Sequence, residues 1–168
     1  MARTSTVWHI AALAVCAGLV MVAAPGCSAM RAASARNQVL QDRTAAHVYP
    51  MPCAHLWPAV QALLFERGFS PAPTPPGALV VETHWRSDAR GSATWWTRYL
   101  AQAFAPTPNH CQIVLNKNES QTPGVGAPYA TRDWEAEWVL LQRLDQPRAE
   151  AIAAEANAAG DKAATEAN

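Results

Sequence analysis

The N-terminal leader constrains the fold most, because it decides how much of the chain remains to fold. A short polar start with one arginine precedes an 18-residue run, residues 7–24, that is almost wholly apolar, and Gly26 then precedes Cys27. A positive start, an apolar run and small residues before a cleavage point are typical of a secretory signal peptide. A plain transmembrane anchor is the alternative, since 18 residues are near the lower limit for spanning a bilayer. Arg31 and Arg36 would then act as stop-transfer charges.

The residues from Ala24 to Cys27 resemble the bacterial lipobox, in which a cysteine that follows small residues is acylated and becomes the mature N-terminus. Gly26 and Cys27 occupy its two most restrictive positions, whereas Ala24 stands where leucine is usual and Pro25 is uncommon. The resemblance implies lipidation of Cys27 and a membrane as partner, since each buried methylene of an acyl chain contributes roughly 0.8 kcal/mol. Ser28 in place of aspartate, by resemblance to the enterobacterial sorting pattern, implies the outer membrane, facing the periplasm.

The rest of the chain is predicted to hold a single domain between two appendages. Residues 1–26 are the signal peptide, and residues 27–46, small and polar with scattered arginines, are predicted to form a lipidated tether. Residues 47–158 are predicted to form the folded domain. Residues 159–168 lack large apolar side chains, so they cannot offset the entropy of ordering and are predicted to form a disordered tail.

The first half of the domain is predicted to contain one helix and one strand. In residues 53–69 apolar side chains recur at helical spacing, and Gly68 supplies the stop signal. A proline-rich loop follows. Residues 78–85, ALVVETHW, alternate in the manner of a strand, with Val81 and Trp85 on the same face.

The second half is predicted to contain a hairpin and two helices. Residues 94–104 fit either a helix or one face of a strand, and the strand is favoured because residues 110–118 are a good partner across a turn. Residues 131–144 are the clearest helix, with Thr131 as its expected N-cap. Asp145 with Pro147 two residues later predicts a further helix start.

This order of elements predicts an α+β fold: a small sandwich of a three-stranded antiparallel sheet with helices packed on one face. The stretch LWPAVQALLFERGF followed by ALVVETHW resembles the helix-grip modules in lipoproteins of the outer-membrane β-barrel assembly complex. That resemblance covers about thirty residues and implies the same kind of fold.

Two cysteines remain once Cys16 has left with the leader and Cys27 is lipidated. In an oxidising periplasm, Cys53 and Cys111 most simply form a disulfide. The alternative is a metal site, because Cys53 and Cys111 have histidines close to them in the sequence. Such a site would bind zinc or copper through Cys53, His55, His110 and Cys111.

Charge and motifs narrow the function classes. The 13 Lys+Arg and 13 Asp+Glu balance, so the chain lacks the basic character of a nucleic-acid-binding protein and no such partner is expected. The sequence contains no Gly-x-Ser-x-Gly, no His-Glu-x-x-His and no phosphate-binding loop. We therefore predict a protein that is not an enzyme and that needs no cofactor.

The stretch WWTRY is the strongest candidate for a binding surface, formed by Trp95, Trp96 and Arg98, which would stack on a glycan or dock another protein. The alternative is that at least half of these rings fill the core of a small domain. The sequence thus predicts a non-enzymatic cell-envelope lipoprotein with a binding or scaffolding role and an envelope protein as possible partner. The alternative is a metal-binding or redox-linked periplasmic protein that uses Cys53 and Cys111.

Overall fold

The computed structural model describes residues 24–122 and 131–166, with side chains from Ser28 onward. In chain order the elements are α1 (Ala24–Ala45), α2 (Cys53–Glu66), β1 (Val80–Glu82), β2 (Arg86–Arg90), β3 (Ala93–Thr107), β4 (His110–Ser120), β5 (Thr131–Arg132), α3 (Trp134–Leu144) and α4 (Gln146–Thr165). The predicted signal peptide lies outside the described residues except for the backbone of its last three residues, and so does the side chain of Cys27. Within the described residues, no helix has the length and hydropathy needed to cross a bilayer.

The five strands form one antiparallel sheet around β3, the longest strand. One edge of β3 pairs with β1 and then with β2, the other edge pairs with β4, and β5 extends the sheet beyond β4. The predicted α+β class with an antiparallel sheet is confirmed, but the prediction of three strands is too low. The strand β2 was missed because all five of its residues are exposed, which leaves no apolar alternation to detect.

The helices α2 and α3 pack on one face of this sheet and enclose the core. Residues 94–104 are strand, as favoured from the sequence, and alternate side chains from Thr97 to Ala101 point toward these helices. Asp133 caps α3 through a hydrogen bond from the backbone N–H of Ala136, so the expected cap, Thr131, is wrong. The fully buried side chains that fill the core are mainly Leu56, Val60, Leu63, Leu115, Leu140, Leu141 and Ile152.

The helices α1 and α4 pack antiparallel against each other and against α3. Gly160 meets the backbone of α1 so closely that a Cβ there would lie 3.1 Å from the carbonyl oxygen of Ala32. Nearer the core, Arg43 Nη2 pairs with Glu155 Oε1 at 2.5 Å. Two expectations are thereby corrected, since the predicted tether, residues 27–46, lies in α1 up to Ala45 and the predicted disordered tail, residues 159–168, is helical up to Thr165. The small side chains of alanine and glycine allow the two helix backbones to approach closely. Because such alanine-rich helices are marginally stable alone, each of them is stabilised by packing against the other.

Candidate functional site

One face of the sheet carries no helix among the described residues. Strand alternation turns Thr97, Tyr99 and Ala101 of β3 toward the helices, so the residues between them point to the opposite side. Strand pairing brings residues of β1 and β4 beside them on that side. We call this surface the open face, and it consists of Val80, Glu82, Trp85, Trp96, Arg98, Leu100, Gln102, Phe104, Val114, Asn116 and Asn118.

Arg98 occupies one end of the open face and is held by two neighbours. Its Nη1 forms an ion pair with Glu82 Oε1. Its guanidinium carbon lies 4.7 Å from the centre of the Trp85 ring, a cation–π contact. The ion pair fixes the guanidinium over the ring and neutralises the two charged groups among the residues that define the open face.

Trp85 reaches the open face because the sheet contains an irregularity between β1 and β2. Glu82 pairs with Leu100, whereas Arg86 pairs with Thr97. Four residue steps on one strand therefore face three on the other, and the extra residue is characteristic of a β-bulge. The bulge turns Trp85 away from the face of Val81, so the prediction that the two share one face is wrong.

The predicted surface of Trp95, Trp96 and Arg98 is divided between the two faces. Trp96 and Arg98 lie on the open face. Trp95 points to the other side, where the guanidinium carbon of Arg90 lies 5.4 Å from its ring centre. Arg90 is in turn paired with Glu119 at 2.7 Å. The structure therefore removes Trp95 from the candidate surface and adds residues that sequence reasoning missed, Trp85 and Phe104 among them.

The other end of the open face is apolar. Phe104 is 48 % exposed and Val80 is 37 % exposed. Leu100, four residues before Phe104 on β3, and Val114, on β4 opposite Gln102, are both half-buried. This end of the open face therefore exposes two large apolar side chains beside a polar one, as many binding surfaces do.

Side-chain amides form the third component of the open face. Gln102, Asn116 and Asn118 lie among the apolar and aromatic residues, and their side chains make no hydrogen bond to other described residues. Asn118 Oδ1 is enclosed as well as unpartnered within that part of the chain. A buried acceptor without a donor costs roughly 1–3 kcal/mol, and because Asn118 Oδ1 is enclosed, a ligand could reach it only after the side chain had turned.

The structure joins Cys53 and Cys111, the pair predicted from the sequence, with an S–S distance of 2.09 Å. Both residues are buried. The bond ties the first residue of α2 to the start of β4. Since both sulfurs are bonded, neither offers the free thiolate that the alternative metal site of Cys53, His55, His110 and Cys111 requires.

The two histidines of that alternative site also lack the required arrangement. His55 is exposed, and His110 Nδ1 lies 2.7 Å from Thr107 Oγ1. No group of three or more His, Cys, Asp or Glu residues in the described part of the chain is arranged to hold a metal ion.

The buried ionisable groups on the helical side are structural. Glu137 accepts hydrogen bonds from Arg132 and from the backbone N–H of Leu115, at 2.8 Å for the latter. Burial raises the pKa of the Glu137 carboxyl, and its hydrogen bonds oppose that shift. Tyr99 donates its hydroxyl to Asp133, and burial together with this hydrogen bond raises the pKa of the phenol. These groups pin α3 to the sheet.

A cleft of about 400 Å³ lies where α1 and α4 meet the sheet, between His47, His110 and Arg148. Burial lowers the pKa of the His47 imidazole, and Asp145, whose Oδ2 lies 3.7 Å from His47 Nε2, opposes the shift. His47 Nε2 is enclosed and has no hydrogen-bond partner among the described residues. The carboxylate of Asp145 gives this cleft mixed charge, so it selects neither an anion nor a cation.

No protein-family model matches this chain. No curated protein shows significant similarity to it.

Proposed function

We propose that this protein is an exported, lipid-anchored cell-envelope protein, not an enzyme, that binds another envelope component through the open face. The observation that carries the proposal is a sheet face on which no described helix packs, with Trp96 and Arg98 at one end and exposed Phe104 at the other. Tryptophan and arginine are the residue types most enriched among those that dominate binding energy. A paired sheet also holds these side chains at fixed spacing, which limits the entropy lost on binding.

Attachment at Cys27 would place the lipid at the start of α1. Cleavage after Gly26 leaves a helix from Cys27 to Ala45, which spans about 28 Å at 1.5 Å per residue. Because α1 is packed along α4, the pair would hold the sheet at a defined distance from the membrane. The Cys53–Cys111 disulfide supports export, since disulfides persist in oxidising compartments. Ser28 supports the outer membrane, facing the periplasm, as the site of attachment.

The experiment on attachment compares Cys27→Ser with the wild type in membrane fractionation and acyl labelling. We expect the wild type to be labelled and to sediment with outer-membrane fractions, and the variant to carry no label. A variant that keeps its acyl label would contradict lipidation at Cys27. A variant that stays membrane-bound, unprocessed and unlabelled, beside an equally unlabelled wild type, would identify the leader as a plain anchor.

The experiment on binding uses two exposed phenylalanines on different surfaces. Phe104 lies on the open face at 48 % exposure, and Phe65 lies on α2 at 73 % exposure. We expect Phe104→Asp to reduce the amount of envelope material that co-purifies with the membrane-extracted protein, and Phe65→Asp to leave it unchanged. Equal co-purification in both variants and the wild type would contradict binding through the open face.

The alternative of a metal-binding or redox-linked protein receives no support from a specific observation. Cys53 is 4 % exposed and Cys111 is 0 % exposed, so a redox partner cannot reach the sulfurs without local unfolding.

A further inference from the structure

The open face has no net charge, which constrains its ligand. Among the residues that define it, the acidic and basic side chains are Glu82 and Arg98, and they pair with each other. Arg132, opposite Asn116 on β5, is paired with Glu137. An acidic or basic ligand would gain no unpaired counter-charge there and would have to compete with the existing ion pair. Charge complementarity therefore favours a neutral ligand.

The amides of the open face indicate the polar chemistry of that ligand. Gln102 and Asn116 each offer both an N–H donor and a C=O acceptor, and Asn118 offers its N–H donors; none of these groups is used by another described residue. An acetamido group carries the same pair of functions and can bond reciprocally with a side-chain amide. Sugar hydroxyls supply further donors and acceptors for these side chains.

The aromatic end supplies a flat apolar surface among these polar groups. Trp96 is half-buried, makes no ring contact with another described aromatic or cationic side chain, and has Arg98 two residues along on the same face. A pyranose ring presents a face of C–H groups, which packs against the flat face of an indole. The indole of Trp96 and the amide side chains lie side by side on the open face. This arrangement fits a ligand in which apolar ring faces lie beside polar substituents.

The open face is long and narrow. Three strands about 4.8 Å apart, and eight residue steps from Trp96 to Phe104 at about 3.4 Å each, give roughly 14 Å by 27 Å. These dimensions suit a slender chain laid across the strands.

We infer that the open face binds an uncharged glycan chain of N-acetylated hexosamines. This inference rests on the proposed function and names the ligand class of the same surface. Trp96 stacks on one sugar ring, and Gln102, Asn116 and Asn118 hydrogen-bond the acetamido and hydroxyl groups of its neighbours.

The test is calorimetric titration of the full-length, detergent-extracted protein with the hexamer of N-acetylglucosamine. The hexamer of glucose, which lacks acetamido groups, is the ligand control. Trp96→Ala removes the stacking ring, Trp95→Ala is the matched control on the opposite face, and Gln102→Met removes one amide at similar size. A thermal melt of each variant checks that it is folded.

We expect saturable binding of the N-acetylated hexamer and at least tenfold weaker binding of the glucose hexamer. Trp96→Ala and Gln102→Met should each weaken binding at least tenfold, and Trp95→Ala less than twofold. Absence of binding by the wild type, equal binding of both hexamers, or equal effects of the two tryptophan variants would overturn the inference. If no hexamer binds while Phe104→Asp still releases a co-purifying envelope protein, the proposed function stands and the glycan is excluded as its ligand.

Discussion

Trp95 and Trp96 are consecutive in the chain and lie on opposite faces of the same sheet. Trp95 lies against Arg90, whose guanidinium carbon is 5.4 Å from its ring centre, on the side that faces the helices. Trp96 lies on the open face with Arg98. The two adjacent indole rings therefore have different surroundings. A substitution of Trp96 removes a side chain from the open face, whereas the same substitution of Trp95 controls for the loss of a tryptophan elsewhere on the sheet.

The disulfide gives the first prediction on stability. Replacing both Cys53 and Cys111 by alanine should lower the free energy of unfolding by about 4 kcal/mol, because the bond closes a loop across a sequence separation of 58 residues. The measurement is urea denaturation of the wild type with and without reductant, beside the double variant.

Reductant should weaken the wild type and leave the double variant unchanged. Intact-mass measurement should show the wild type two protons lighter before reduction than after it. A wild type with the same mass and the same unfolding midpoint in both conditions would contradict the pairing of Cys53 with Cys111.

Glu137 predicts a dependence of stability on pH. Burial raises the pKa of its carboxyl in the folded state above the value of 4.5 for an unperturbed glutamate, so at a given pH the folded state binds more protons at this group than the unfolded state does. The contribution of Glu137 to the free energy of unfolding is fully present at pH values below the pKa of this carboxyl in the unfolded state. It is lost as the pH rises through the pKa of the carboxyl in the folded state. Glu137→Gln stays neutral, and its amide oxygen can still accept the N–H of Leu115.

Urea denaturation at a series of pH values, from about pH 4 to about pH 8, tests this expectation. As the pH rises, the free energy of unfolding of Glu137→Gln should increase relative to that of the wild type. Glu137→Ala should be less stable than Glu137→Gln by roughly 1–3 kcal/mol, because the buried N–H of Leu115 loses its acceptor. A difference between wild type and Glu137→Gln that moves in the opposite direction would contradict this account.

The contact of Gly160 with Ala32 predicts how α1 is held. A Cβ at position 160 would lie 3.1 Å from the carbonyl oxygen of Ala32, so Gly160→Leu must separate the two helices. We expect a loss of about 1–3 kcal/mol, typical of overpacking. Trypsin should then cut faster at Arg31 and Arg36 of α1.

Ala158→Leu is the matched control, since Ala158 is exposed on the same helix. It should leave both the unfolding midpoint and the rate of trypsin cleavage near those of the wild type. If Gly160→Leu were cut no faster than Ala158→Leu, α1 would be a loose tether after all.

The elements that were predicted correctly are those whose own residues show a recognisable pattern. The apolar side chains of α2 recur at helical spacing, and Leu56, Val60, Leu63 and Leu64 are all buried. The pairing of β3 with β4 followed from two compatible runs separated by a turn. Cys53 and Cys111 could be paired by elimination because the predicted cleavage and lipidation would account for Cys16 and Cys27.

The elements that the sequence failed to predict depend on contacts between distant residues. The strand β2 has five exposed residues, and it is held by pairing with β3 and by contacts of Arg86 and Arg90 with residues outside the strand. The helix at the C-terminus is poor in large apolar groups and is stable because Gly160 and Ala156 pack closely against their surroundings. The composition of one segment does not show which distant segment packs against it. The packing of α1 against α4 therefore could not be predicted from residues 27–46 or residues 159–168 taken singly.

The open face was predictable only in part for the same reason. Trp96 and Arg98 were named from their sequence, since aromatic residues beside arginine are common in binding surfaces. Trp85 joins them through a bulge that becomes visible only when the strands are paired. Phe104 is at the far end of β3, where nothing in its neighbours distinguishes an exposed residue from a core residue.

Photo-crosslinking in intact cells tests the central claim, binding through the open face, most directly. A benzophenone side chain replaces Phe104 in one variant and Phe65 in a second, both exposed positions on different surfaces. We expect ultraviolet light to produce a discrete adduct with an envelope component from position 104 and none from position 65. Absence of an adduct at position 104, or the same adduct from both positions, would contradict the claim.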